Sequence, residues 1–214
     1  MDTMAEETHL PTNLDTQPVV QAAAAMQPVL RRYHEEIERE LRLPQALVGQ
    51  LRAAGFYRLV IPRALGGLQA DPLTYLRVVE LLAEGAGSVG WNIANNSFGQ
   101  LVTLGLPDEG VDELYARAAD AVIAGTAVQG GGQGVPVEGG YRVSGRWSFG
   151  SGCQEAAWMV GSFQVLDGVT SARIAARRRV WLMPPRRRLS AGRTEQVRDA
   201  RNFGIGRGPL SQRE

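Results

Sequence analysis

The stretch Gly139 to Trp158, GGYRVSGRWSFGSGCQEAAW, decides how the second half of this 214-residue chain is read. Tyr141, Val143, Trp147 and Phe149 are aromatic or β-branched and are separated by small or polar residues, the period of two of a half-buried strand. Gly139 and Gly140 supply a turn ahead of it, so VPVEGGYRVSG, residues 135–145, reads as a β-hairpin with a second bend at Ser144-Gly145. The strand is then expected to run from Arg146 to Gly152.

Upstream the pattern changes to that of helices. Val19 to Leu43 is rich in Ala, Glu, Arg and Leu and sets Val29, Tyr33, Ile37 and Leu41 at four-residue intervals, one face of a helix. Pro44 opens a second helix that Gly55 ends, and Pro62 with Gly66-Gly67 forms a loop. Asp71-Pro72 reads as cap and first-turn proline of a third helix, with Leu73, Leu76, Val79, Leu82 and Ala83 as its apolar stripe. Trp91 to Leu106 reads as a fourth, mostly buried helix carrying Asn92, Asn95, Asn96 and Ser97, and Pro107 to Arg117 as a last one before strands begin near Asp120. Polar side chains buried on such a helix either bridge to neighbouring elements or line a pocket, and Asn95, Asn96 and Ser97 are the pocket candidates.

Composition is that of an ordinary globular chain, 44% hydrophobic and 21% charged. The net charge of +1 hides two opposite parts. Residues 171–214 hold twelve arginines against three acids, whereas residues 1–170 hold eleven arginines against nineteen acids. Cys153 has no cysteine to pair with, and His9 and His34 are the only histidines, which argues against a disulfide framework, a zinc site and a Ser-His-Asp hydrolase. Gly130, Gly131, Gly132 and Gly134 fit neither a GxGxxG opening a helix nor a Walker loop with its lysine. Residues 1–16 read as a disordered, acidic lead, no targeting segment is visible, and a cytoplasmic protein is expected.

Chemically, Trp147 and Phe149 next to Ser148 and Ser151 suit a flavin, which needs a flat apolar surface beside its rings and hydrogen-bond donors at its polar edge. The same residues also suit the core of an ordinary antiparallel sheet. The segment RVSGRWSFGSGCQEAAWMVGSF, residues 142–163, resembles the middle domain of the acyl-CoA dehydrogenase superfamily, and above all its flavin-dependent monooxygenase branch. Residues 55–100, from GFYRLVIPRALGG to NNSFGQ, resemble the N-terminal helical domain of the same branch. The two blocks stand in the right order, and the likeness extends over roughly residues 17–170.

That resemblance implies an α+β chain: a disordered lead (1–16), an all-helical N-terminal domain (17–119) and part of an antiparallel β-barrel-like middle domain (120–170). The four-helix bundle that follows in the family is missing here. It implies a two-component oxygenase that takes reduced FMN or FAD from a partner flavin reductase, acts on a small molecule, and in the full-length family forms a homotetramer. By position, Phe149 takes the place beside the flavin rings, and Ser151 that of the hydroxyl at the flavin's central nitrogen, the catalytic assignment. Trp147, Ser148, Gly150 and Thr126 line the cofactor site. The acyl-CoA dehydrogenases carry Thr-Glu-Pro and Gly-Ser-Asp patterns where this chain has Thr126-Ala127-Val128-Gln129, a departure that favours the monooxygenase branch over an FAD-dependent dehydrogenase.

The basic segment 171–214 reads as an irregular tail. All 23 basic residues of the chain are arginine, as in a GC-rich coding sequence, and a reading frame lost near residues 168–180 would give such a tail. A genuine basic tail is the alternative, although it has no aromatic interleaving and no reader motif, so neither nucleic acid nor membrane is expected as a partner. The remaining possibility from outside the oxidoreductases is a non-catalytic remnant, or an interaction protein acting through that tail.

Overall fold

The computed structural model describes residues 14–106, 108–115, 119–125, 132–137, 140–145, 147, 150–165, 178–183 and 195–201. Helix α1 is Pro18–Glu40, α2 Gln45–Ala53, α3 Pro72–Gly85, α4 Gly87–Thr103 and α5 Asp108–Tyr115. The strands are β1 Ile123–Gly125, β2 Gly132–Val137, β3 Gly140–Gly145, β4 Trp158–Val165, β5 Arg178–Met183 and β6 Glu195–Arg201.

Several helix ends have a local cause. Pro18 and Pro72 occupy first-turn positions, where a missing N–H costs nothing. Asp71 caps α3: its Oδ1 accepts from the backbone N–H groups of Leu73 and Thr74 at 3.0 and 3.1 Å, and its Oδ2 from the Thr74 hydroxyl at 2.6 Å. Gly55, at φ 85°, turns the chain out of α2. Helix α1 ends less comfortably, on Leu41 at φ 51°, a left-handed conformation that a leucine adopts at a cost.

Helices α1, α3 and α4 pack side by side. The faces that meet are not quite those predicted. On α1 the buried residues are Val20, Ala23, Leu30 and Ile37, whereas Leu41, assigned to the apolar face, is 81% exposed. On α3 they are Thr74, Val78, Leu81 and Leu82, and the expected stripe members Leu73 and Leu76 lie outside. Both sets obey helical spacing, and neighbour contacts rather than hydropathy choose between them. Packing of α3 on α4 is so close that a Cβ on Gly90 would stand 2.6 Å from that of Ala83, so that only glycine fits at this crossing.

The sheet departs from the antiparallel expectation. Strands β2 and β3 do form the predicted hairpin, closed by the pair Val137 and Gly140, and β6 adds to β3 antiparallel. Strand β4, however, runs parallel to β1 (Ile123 opposite Trp158) and to β2 (Gln133 opposite Gln164) along one edge, with β5 antiparallel on the other. Strand β4 therefore runs in the same direction as β1 and β2. The strand expected over Arg146–Gly152 is not borne out by its described residues: Trp147 and Gly150 lie outside any strand and Ser151–Glu155 form a turn. Gly152 at φ 78° cannot continue a strand.

Two segments of the arginine-rich stretch, expected to be irregular, are the strands β5 and β6. RRVWLM and EQVRDAR each hold β-branched or large apolar residues among charged ones, a composition that edge strands tolerate.

Replacing Asp71 with Ala should cost about 1 kcal/mol of stability in a urea titration, the usual value of an N-cap. Burial by itself would raise the Asp71 carboxyl, but the hydrogen bonds from Thr74 and Leu73 outweigh it and hold the carboxyl below its ordinary 3.8. The stabilisation is therefore present above about pH 4 and lost as pH falls through the lower folded value, and D71A should be less acid-sensitive in that window. Leu41→Gly should raise stability by about 0.5–1 kcal/mol, the relieved left-handed strain less the added chain entropy, read as an upward shift in melting temperature.

Candidate functional site

Helix α4 connects the two halves. Along one of its sides Asn92, Asn96, Gln100 and Thr103 recur at helical spacing and are all buried. Asn96 Oδ1 accepts the Ile123 backbone N–H of β1 at 2.8 Å. Gln100 Nε2 donates to the carbonyl of Tyr57 and, at 3.4 Å, to that of Ala121. The Thr103 hydroxyl donates to the Gln100 carbonyl at 2.7 Å, so in its 2.6 Å bond with Tyr115 the phenol is the donor. Burial pushes that phenol up to about 12, with the Thr103 contact opposing the rise.

The next side of α4 carries Trp91 and faces the turn that precedes β4. Trp91 Nε1–H donates to Ser151 Oγ at 3.1 Å, and Asn95 Nδ2 donates back to the Trp91 carbonyl at 2.9 Å. The turn is closed by the Cys153 and Glu155 N–H groups donating to the carbonyls of Gly150 and Gly152, at 3.0 and 3.1 Å. Gly152 seats it on α4, since a Cβ there would lie 3.1 Å from Asn92 Nδ2. On the far side Gln45 Nε2, at the start of α2, donates to Glu155 Oε2. Glu155 is raised by partial burial, against the lowering effects of Gln45 and Arg42, and burial likewise pushes the Cys153 thiol up, an environment for a packed thiol rather than a thiolate.

Trp147 lies flat against β4. A Cβ on Gly161 would approach its Nε1 to 3.0 Å and two of its ring carbons to 3.3 Å, so the absent side chain at Gly161 makes room for the indole.

Of the residues expected at a cofactor site, Gly150 and Ser151 belong to this turn region and Trp147 packs on β4, while Phe149, Ser148 and Thr126 lie outside the described residues. The three candidates on α4 point to different places. Asn96 is bound to β1, Asn95 sits beside Trp91, and Ser97 is buried with its hydroxyl lacking a hydrogen-bond partner among the described residues. Trp91 escaped sequence reasoning. An aromatic at the start of a helix reads as core, and its partner sixty residues away leaves no local signal.

The sequence pattern of the acyl-CoA dehydrogenase N-terminal domain matches residues 17–125, just over half of the chain. The chain belongs to the acyl-CoA dehydrogenase family. Within that family it is similar to the flavin-dependent monooxygenase oxygenase subunit HsaA of Rhodococcus jostii RHA1, 32% identical over 151 residues that make up 70% of this chain and 39% of the relative. The crystal structure of 3-HSA hydroxylase from Rhodococcus sp. RHA1 superposes with a TM-score of 0.73 at 28% identity, covering 80% of this chain and 43% of that one. XiaF from Streptomyces sp., solved with FADH2 and glycerol, gives a TM-score of 0.72 at 26% identity over 78% of this chain and 41% of its own. The chain thus spans about two fifths of the length of these acyl-CoA dehydrogenase family members. No helix among the described residues is long and apolar enough to cross a membrane.

Gly152→Ala should destabilise the chain by about 1–2 kcal/mol, because the new methyl meets both a left-handed backbone and the Asn92 amide. Thermal melting checks this, and adding Asn92→Ala should recover only the part due to the contact.

Proposed function

We propose that this chain carries the N-terminal and part of the middle region of a two-component flavin-dependent monooxygenase, which receives reduced FMN or FAD from a separate reductase and hydroxylates a small organic molecule. The observation that carries the reading is the α4 junction, a serine hydroxyl held in a glycine-bounded turn by an indole N–H, together with a second indole, from the same segment, laid flat on β4. A hydroxyl and flat apolar surfaces are the donor set that a flavin's central edge requires.

In this reading Ser151 hydrogen-bonds the central ring nitrogen, and Trp147 with Phe149 borders the rings. Ser148, Gly150 and Thr126 complete the cofactor surface, and Asn95 faces the substrate side. The bound flavin supplies the capacity to activate dioxygen. The protein's share is to orient the ring, to hold a donor at its nitrogen and to keep the surroundings dry.

The relatives named as oxygenase subunits support the reductase partnership. A homotetramer with a barrel-like middle domain and a C-terminal helical bundle, as the resemblance implies, also belongs to this reading. It is supported by the apolar side chains that α3 and α4 leave outside: Leu73, Leu76, Trp91, Phe98 and Leu101 are all exposed here, more than an isolated helical surface usually presents.

Anaerobic titration with reduced FMN and with FAD tests the proposal. Saturable binding is expected, weakened about fivefold by Ser151→Ala, the effect of one ordinary hydrogen bond. Absence of saturable binding for both flavins would sink it.

A further inference from the structure

Trp91 and Ser151 belong to different elements, and their bond spans 60 residues of sequence. An indole nitrogen can only donate, whereas a serine hydroxyl has one proton and two lone pairs. The 3.1 Å bond from Trp91 Nε1–H therefore occupies an acceptor site on Ser151 Oγ and leaves the serine proton to be donated elsewhere. A hydroxyl that could otherwise turn either way is biased toward one polarity.

The surrounding geometry makes that bias persistent. Asn95, one turn along α4, ties its amide to the Trp91 carbonyl at 2.9 Å. The turn cannot slide along the helix, because Gly152 is held over Asn92, which is 8% exposed and whose Oδ1 finds no hydrogen-bond partner among the described residues. Trp91 is 63% exposed, so water competes for its N–H in the free chain; a planar ligand covering the ring would exclude that water and strengthen the bond.

We infer that Trp91 is a positioning residue that sets Ser151 as a hydrogen-bond donor and so biases the site between the two redox states of a bound flavin. The inference rests on the flavin reading of Ser151 given above. An oxidised ring presents an unprotonated nitrogen at its central edge, which accepts a hydrogen bond; the two-electron-reduced ring presents an N–H there, which donates. A serine committed to donating favours the oxidised form. The second lone pair on Oγ still admits the reduced ring, with less gain.

The test compares the unaltered chain with Trp91→Phe, Ser151→Ala and the double variant, by titrating oxidised FMN and FAD in air and the reduced forms anaerobically. Trp91→Phe keeps a ring and removes the donor. It should weaken binding of oxidised flavin about fivefold and leave reduced flavin within about twofold. A fivefold change in the ratio of the two constants corresponds to a rise of about 20 mV in the potential of the bound two-electron couple. In the Ser151→Ala background Trp91→Phe should have no further effect.

Equal weakening of both redox forms, an unchanged potential, or a Trp91→Phe effect that persists without the serine would each overturn the inference. The Trp91 indole N–H resonance reads the bond in the absence of any flavin, and Ser151→Ala should move it upfield at an unchanged melting temperature; an unmoved resonance would also overturn it. Failure of the unaltered chain to bind either flavin form would fell the flavin reading and this role together, whereas normal binding with a silent Trp91→Phe would fell the Trp91 role alone.

Discussion

The structure depends on the hydrogen bond between the Asn96 side chain and the backbone of Ile123. A buried amide left without partners costs about 1–3 kcal/mol, so a helix lined with Asn92, Asn96, Gln100 and Thr103 can be buried only against something that offers polar groups. Strand β1 and the backbone at Tyr57 and Ala121 offer them. That requirement fixes the rotation of α4, and with it the direction in which every other side chain of the helix points. With Asn96 turned to β1, Trp91 reaches the turn before β4, while Phe98 and Leu101 are left facing out.

The polar row is incompletely paired. Asn96 Nδ2 and Gln100 Oε1 are buried without hydrogen-bond partners among the described residues, as is the Tyr57 hydroxyl, whose acidity is weakened first by its burial and then by Glu155. A row that is half satisfied specifies register strongly and contributes little net stability. The apolar cluster around Leu30, Leu47, Phe56, Leu82 and Ile93 must supply the stability instead.

Sequence reading recovered what is written locally. The Asp71 cap, the Gly55 stop and the β2–β3 hairpin follow from residue chemistry within four or five positions, and each was legible. The choice between Leu73 with Leu76 and Val78 with Leu81 was not, because both pairs satisfy the same helical period and only the neighbouring helix decides. The parallel run of β4 beside β1 was hidden for a related reason: alternation marks a strand but carries no information on its partner or direction. At the α4 junction, Ser151 stood out in the sequence as a candidate through its setting among glycines and aromatics, and the structure gives it the Trp91 indole as a partner. Trp91 was not, since its role is defined by a residue on another element.

The β1–β4 pairing also carries a loop-closure cost. Ile123 and Trp158 can meet only after the intervening hairpin has formed or been looped out, and closing so long a segment costs chain entropy that local contacts do not incur. The helices, whose bonds are mostly four residues long, carry no such cost. Helix α4, through Asn96, holds β1 where β4 pairs with it. Ser151 lies just ahead of β4, so the pairing that closes this loop is also what carries Ser151 to Trp91.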